Sequence, residues 1–346
     1  MRLRRLFPLV LTACLLTSCA VPGVDGTGMG TRQYQATFLD VFDTVTTVIG
    51  YAENETAFLE TAQEAHDLLQ EYHQLYDIYN DYDGLNNLKT VNDQAGIAPV
   101  TVDQRIMDLL LLCRELYEES GGKVNAAMGS VLTLWHQARE DSIDDPEHAY
   151  TPEADAIQEA LGHISFDTVV LDEEASTVYL ADAAQRLDVG AVAKGYAAGK
   201  VAETLPEGMV LSLGGNICVT GPKGDGTPWV VGIQDPDGDG SDYVARLDIT
   251  SGAVVTSGDY QRYYTVDGVT YHHIIDPDTG APARHYRAVT VICPDSGLAD
   301  ALSTAVFTMD EEAGRALLAT YGAEGYWIYA DGSTAWTEGC APYFHS

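Results

Sequence analysis

The chain has 346 residues, with 18 Lys and Arg against 52 Asp and Glu, a net charge of −34, and 46% apolar residues. A field of that sign repels polyanions, so binding nucleic acid through the bulk surface is excluded, and an anionic substrate calls for a cation or local amides. The length is enough to bury a good core.

The N-terminus, "MRLRRLFPLVLTACLLTSCA", places three arginines before an apolar run from Leu6 to Leu16 and small residues up to Cys19. This is the layout of a secretory signal, and it is too short for a membrane span. The ending "LLTSC" resembles the lipobox of bacterial lipoproteins. It implies a signal peptide over 1–18, lipidation of Cys19, a Gly-rich tether over 19–33 and a folded domain over 34–346. "LTAC" at Leu11 to Cys14 fits the same pattern but leaves a shorter apolar core, and an ordinary cleaved signal is the other alternative. More than one acyl chain would anchor the protein stably at the extracytoplasmic face of the cell membrane. Cys113, Cys218, Cys293 and Cys340 show no CxxC and no zinc spacing. Cys113 and Cys293 sit in apolar runs and read as buried hydrophobes, with pairing left open.

In chain order, helical periodicity marks 56–80 and 103–120, and a shorter helix at 152–164 opens with Thr151 and Pro152. "FDTVVLDEEASTVYL" reads as a hairpin. A helix over 191–205 precedes the strands "MVLSL", "WVVGI" and "ARLDI", and "YYTVDGVTYHHI" reads as a hairpin turning at Asp267 and Gly268. Helices over 298–308 and 311–321 and the strand "GYWIY" close the chain. With no repeat and no break in composition, the pattern predicts an α+β fold, a single mixed domain of antiparallel sheet and packed helices.

Two motifs fail. "DPDGDGSDYVAR" begins like a calcium loop but ends in Arg246 where a bidentate Glu is needed, so an acidic surface turn is the better reading. "GGNICVTGPKGDG" lacks the P-loop spacing and its Lys-Ser/Thr ending, although its amides can approach an anion.

Three clusters carry more weight. In "RLDVGAVAKGYAAGK", Asp188 ends a strand, Gly190 allows a turn, and Lys194 falls in the first turn of a helix whose amides favour phosphate. "TSGDYQRYYTVDGVTYHHIIDPDTG" reads as a hairpin carrying Ser257, Asp259, Tyr260, Arg262, His272 and His273. Strand alternation lets only one of the two histidines face a given site. In "DSGLADALSTAVFTMD", Asp300 and Thr304 share a face opposite Leu298, Leu302, Ala305 and Met309. They are either the wet side of an amphipathic helix or a pair of oxygen ligands for a hard cation.

Together with "FDTVTTVIGY" and "VNAAMGSVLTLW", these segments resemble the ApbE-type family of FAD:protein FMN transferases, from about Thr37 to the C-terminus. The resemblance implies an ApbE/T-fold-like domain that binds FAD and a divalent cation, usually Mg2+, and moves FMN to a threonine hydroxyl of a protein. It implies Asp300, Thr304 and the Ala191 carbonyl as metal ligands. Phe42, Tyr79, Asn125, Ala126, Ala127, Asp188, Lys194 and Ile274 become FAD contacts. The family's early segment often reads Asp-Pro-Thr, so Asn125 departs from it. His273 is the candidate base. Acceptors would carry a Ser/Thr-Gly-Ala-Thr type segment, often on outward-facing membrane redox subunits. Two alternatives stay open: an FAD pyrophosphatase using water on the same site, and a lipid-anchored flavin-binding protein without chemistry.

Overall fold

The computed structural model describes residues 31–238 and 240–346. The signal segment, Cys19 and most of the tether lie outside the described residues. The chain opens with the hairpin β1 (Arg32–Val41) and β2 (Thr44–Ala52), then α1 (Glu55–Tyr76) and the short α2 (Leu88–Asp93). β3 (Val100–Thr101), α3 (Gln104–Glu119), α4 (Gly129–Asp144) and α5 (Ala154–Leu161) follow. The hairpin β4 (Val169–Asp172) and β5 (Thr177–Leu180) precedes α6 (Ala193–Ala202), β6 (Val210–Leu213) and β7 (Asn216–Val219). Next come β8 (Trp229–Gln234), β9 (Tyr243–Ile249), β10 (Gly252–Gly258), β11 (Tyr263–Val266) and β12 (Val269–His272). The chain ends with β13 (Ile275–Asp276), β14 (Ala281–Pro282), β15 (Ala288–Cys293), α7 (Ser296–Phe307), α8 (Glu311–Thr320), β16 (Glu324–Ile328) and β17 (Thr334–Trp336).

Eight strands form one sheet in the order β1-β2-β6-β7-β10-β15-β16-β17, and every neighbouring pair is antiparallel. One face carries α1, α6 and α7 over the main core, which includes Phe58, Leu69, Leu211, Val291, Phe307 and Trp327. The other face is covered by the ribbon of β8 and β9, through Trp229, Val231, Leu247 and Ile249. β15 is therefore buried along its whole length, and it reads as an unbroken apolar run instead of an alternation. A third cluster joins α4 and α5 to β11 and β13 through Trp135, Ala160, Tyr264 and Ile275. This positions the β11–β12 hairpin beside α4.

The mixed antiparallel domain agrees with the pattern reading, with local corrections. Asp267 and Gly268 make the predicted β11–β12 turn, with φ of 49° and 79°. Ser257 lies outside that hairpin, because β10 is a central strand paired with β7 and β15. "GGNICV" is not one loop: Gly214 and Gly215, at φ 60° and 92°, turn β6 into β7. The first described strand, β1, opens at Arg32. α4 and the strands β10 and β15 were not assigned from the pattern. The four cysteines are free and buried.

One polar group organises the exit from α1. The buried Asp77 accepts the N–H groups of Tyr79 at 2.6 Å and Asn80 at 3.1 Å, the Asn80 amide at 2.9 Å and the Tyr82 hydroxyl at 2.8 Å. Burial raises its pKa, but these donors outweigh burial and the net value falls below the usual range. The carboxylate thus contributes stability at pH above the unfolded value of about 3.9, and loses it as pH drops through the lower folded value. Asp77→Ala should cost about 1–3 kcal/mol at pH 7 in urea melts. The gap from the unmodified protein should narrow on going to pH 3, and a constant gap would show that the charge is irrelevant.

Candidate active site

α6 begins with no capping side chain of its own. The cap comes from α7, where Asp300 Oδ2 accepts the Gly195 N–H at 2.7 Å. Gly195 is the third residue of α6, so its N–H is one of the first-turn donors that a helix leaves without an internal partner, and Ala191 lies just before the N-cap Val192. Only glycine allows this approach: a Cβ at Gly195 would sit 2.3 Å from the Ser296 carbonyl oxygen and 2.4 Å from Asp300 Cβ. Asp300 is 4% exposed. Its nearest cation is Lys194, whose Nζ stands 3.7 Å from Oδ2 and donates to the Gly190 carbonyl at 3.2 Å. Desolvation pushes the Asp300 pKa up, against the pull of Lys194, the Gly195 amide and the Asn216 side chain.

The amphipathic reading of α7 is overturned, because the helix is packed between the sheet, α6 and α8 and is buried nearly all round. Thr304, half-buried, lies one turn beyond Asp300 with Ser257 Oγ 3.4 Å from its hydroxyl. Ser257 also meets Ser303 Oγ at 2.8 Å, and Ser303 donates to the Asp300 carbonyl at 2.9 Å. Asp300 and Thr304 put two side-chain oxygens one turn apart on α7 beside the start of α6, which Ala191 precedes, and oxygen donors suit a hard cation. Among the described residues no group of three or more His, Cys, Asp or Glu gathers, so such a cation would complete its shell from substrate and water.

A second wall faces this junction. Asp188 belongs to an extended segment outside the named strands, contrary to the strand-end expectation. Its N–H donates to the Ala126 carbonyl at 2.8 Å, and the Gly129 N–H donates to the Arg186 carbonyl at 2.9 Å. Segment 125–129 thus runs beside 186–188. Asn125 shapes its turn, accepting the Ala127 N–H at 2.8 Å and donating to the Ile164 carbonyl at 2.9 Å. Asp188 accepts the Gly190 N–H at 2.8 Å. Desolvation raises its pKa, opposed by that amide and by the charges of His136, Lys194 and Arg262. Tyr79, 56% exposed, stacks on His136 with ring centres 5.3 Å apart. Its pKa is pushed up to about 12 by desolvation, with Asp188 and Glu140 adding to it.

The two histidines divide as strand alternation requires. His272 is buried, with Nε2 at 2.7 Å from the Ala283 carbonyl and Nδ1 accepting the Ile274 N–H at 3.2 Å, which assigns a neutral ring. His273 is exposed, and its N–H donates to the Arg262 carbonyl at 3.1 Å. Desolvation, then the charges of Arg262 and Lys194, pull its pKa below the usual imidazole value. Ile274 is buried behind it. Phe42 occupies the β1–β2 turn at φ 53°, an unusual conformation for an aromatic residue, with its N–H on His73 Nδ1 at 3.2 Å. That turn abuts the Gly214–Gly215 turn, where the Gly214 N–H reaches the Val45 carbonyl at 3.1 Å.

The candidate residues therefore group as one junction and one facing wall, with Phe42 on the neighbouring turn. His136, Gly195 and Asn216 were not picked out, and Arg262 was placed in the hairpin cluster without a role of its own. Gly195 had a signal in the "AKGYAAGK" pattern, whereas His136 had none, because its helix was not assigned.

A profile of the ApbE family matches residues 34–327. A curated FAD:protein FMN transferase of Treponema pallidum is 36% identical over 335 residues, 90% of either chain. One of Klebsiella pneumoniae is 34% identical over 66% of this chain and 70% of its own. The crystal structure of the ApbE protein from Thermotoga maritima superposes with a TM-score of 0.80 at 28% identity, covering 91% of this chain and all of that one. The flavin transferase ApbE from Vibrio cholerae, at 22% identity, shares the fold with a TM-score of 0.75 over 90% of this chain and 99% of that one.

With divalent cations chelated, Asp300→Asn should melt at a higher temperature than the unmodified protein, since an amide oxygen still caps Gly195 and the buried charge is gone. A lower melting temperature would show that Lys194 already compensates the charge. Gly195→Ala should lose about 1–3 kcal/mol through overpacking, read as a lower melting temperature in the same assay.

Proposed function

The chain belongs to the ApbE family, and we propose that it transfers FMN from FAD to a threonine hydroxyl of an acceptor protein, with Mg2+, releasing AMP. Flavin transfer is the activity named for the Treponema pallidum and Klebsiella pneumoniae relatives, and this chain is an enzyme of that class. The observation that carries the finer reading is the α6–α7 junction. A buried carboxylate there, with its lysine standing off at 3.7 Å, caps a helix start.

On this reading Asp300, Thr304 and the Ala191 carbonyl hold the cation, which when bound neutralises charge on the pyrophosphate oxygens. Lys194 and the start of α6 face the same phosphates. Phe42, Tyr79, Ala126, Ala127, Asp188 and Ile274 line the FAD site, and Asn125 serves through its turn instead of a charge. The acceptor hydroxyl oxygen bonds to the FMN phosphorus, and the bond from that phosphorus to the AMP oxygen breaks. The hydroxyl proton passes to His273.

Lipidation at Cys19, outside the described residues, would hold the enzyme at the extracytoplasmic face, where acceptors with a Ser/Thr-Gly-Ala-Thr type segment meet it in two dimensions. No described helix is long and apolar enough to cross a membrane.

The test incubates the protein with FAD, magnesium and an acceptor domain bearing that segment, and reads the acceptor's intact mass. A gain of one FMN, abolished by chelation, is expected. Free FMN and AMP beside an unmodified acceptor would mean a hydrolase, and intact FAD a binding protein. Asp300→Ala should abolish transfer, and unchanged turnover would sink the metal assignment. His273→Ala should slow transfer by roughly 10²-fold while leaving FAD binding intact.

A further inference from the structure

The wall that carries Asp188 has no strand partner along Leu187, and a single side chain takes that place. Asn92, at the end of α2 and 7% exposed, donates its amide to the Leu187 carbonyl at 2.9 Å and accepts the Leu187 N–H at 2.7 Å. Leu187 is fully buried, so neither backbone group has water as an alternative. Asparagine alone supplies a donor and an acceptor at this reach. Aspartate keeps the acceptor and loses the donor, and alanine keeps neither. The next residue, Asp188, then donates its N–H to the Ala126 carbonyl at 2.8 Å, so the clamp passes directly to segment 125–127.

Asn92 is itself held from the other side. α2 starts in a reciprocal cap between Asn87 and Thr90. Asn87 donates its amide to the Asn80 carbonyl at 2.9 Å, and the Lys89 N–H reaches the Asp77 carbonyl at 3.0 Å. Asp77 and Asn80 shape the loop that displays Tyr79. A continuous set of short hydrogen bonds thus runs from the Tyr79 loop through α2 to Asp188 and Ala126.

We propose that Asn92 is a positioning residue of the flavin-nucleotide site, setting the spacing between Tyr79 on one side and Asp188 with Ala126 on the other. The inference rests on the reading of Tyr79 and Asp188 as FAD contacts. Both polar atoms of the Asn92 amide are taken up by Leu187, so it acts through that backbone. The Asp300 junction is reached by none of these bonds, which separates a positioning role from a general structural one.

The experiment uses the full chain in detergent, with Asn92→Asp, Asn92→Ala and Asp188→Ala, and measures FAD affinity by flavin fluorescence and Mn2+ affinity by titration. The expected result is FAD binding weakened about tenfold or more in both Asn92 variants, a matching rise in KM, kcat within a few-fold, and unchanged Mn2+ binding. FAD affinity held by a folded Asn92→Asp, while Asp188→Ala loses it, would overturn this inference alone. FAD affinity retained by Asp188→Ala would overturn the FAD reading of the wall and the inference with it. Hydrogen exchange on the unmodified protein decides the matter without a variant. The Leu187 and Asp188 amides should be slow before FAD is added, and protection that arises only with FAD would overturn the clamp.

Discussion

The arrangement depends on one contact, the Asp300 carboxylate accepting the Gly195 N–H. It joins α6 to α7 end to face, and it requires a glycine where any Cβ would collide with the Ser296 carbonyl. It also satisfies one of the first-turn N–H groups that α6 leaves without an internal acceptor. Burial desolvates the carboxylate and pushes its pKa up. A protein of net charge −34 keeps this acid deep inside at a cost, and a cation bound there would offset that cost while giving an anionic substrate a point of attraction.

The antiparallel sheet makes the contact possible. β10 and β15 are its central strands, covered on one face by α7 and on the other by the β8–β9 ribbon. β10 brings Ser257 under Thr304, and the chain leaving it forms the β11–β12 hairpin that presents His273. Strand alternation then sorts the adjacent histidines. His272 turns inward to the Ala283 carbonyl and the edge of Phe307, and His273 turns outward among Arg262 and Lys194. One packs into the interior and the other lies at the surface, although the two are neighbours in sequence.

Much of this was legible from local pattern. The β11–β12 turn, the β4–β5 hairpin and the helices from α1 to α8 other than α2 and α4 follow from periodicity and turn chemistry, because those signals act within a few residues. α7 misled for a physical reason. A helix enclosed on every side still carries Asp, Ser and Thr, and in a linear pattern these read as a wet face. The placement of Ser257 failed because β10 pairs with β7 and β15, both distant in sequence. His136 and Asn92 gave no signal at all: one gains meaning by stacking on Tyr79, the other by bonding Leu187 across 95 residues.

The sequence by itself determined the charge balance, the α+β class, the order of the segments that resemble the flavin transferases, and Asp300 with Thr304 on one face of a helix. These are properties of composition and of short-range spacing. Only the tertiary structure decided that this face is buried, that Gly195 gives its N–H to Asp300, and that Asn92 holds the wall carrying Asp188. Each of these depends on backbone groups far apart in the chain satisfying one another where water is excluded, and periodicity along the chain carries no record of such partners.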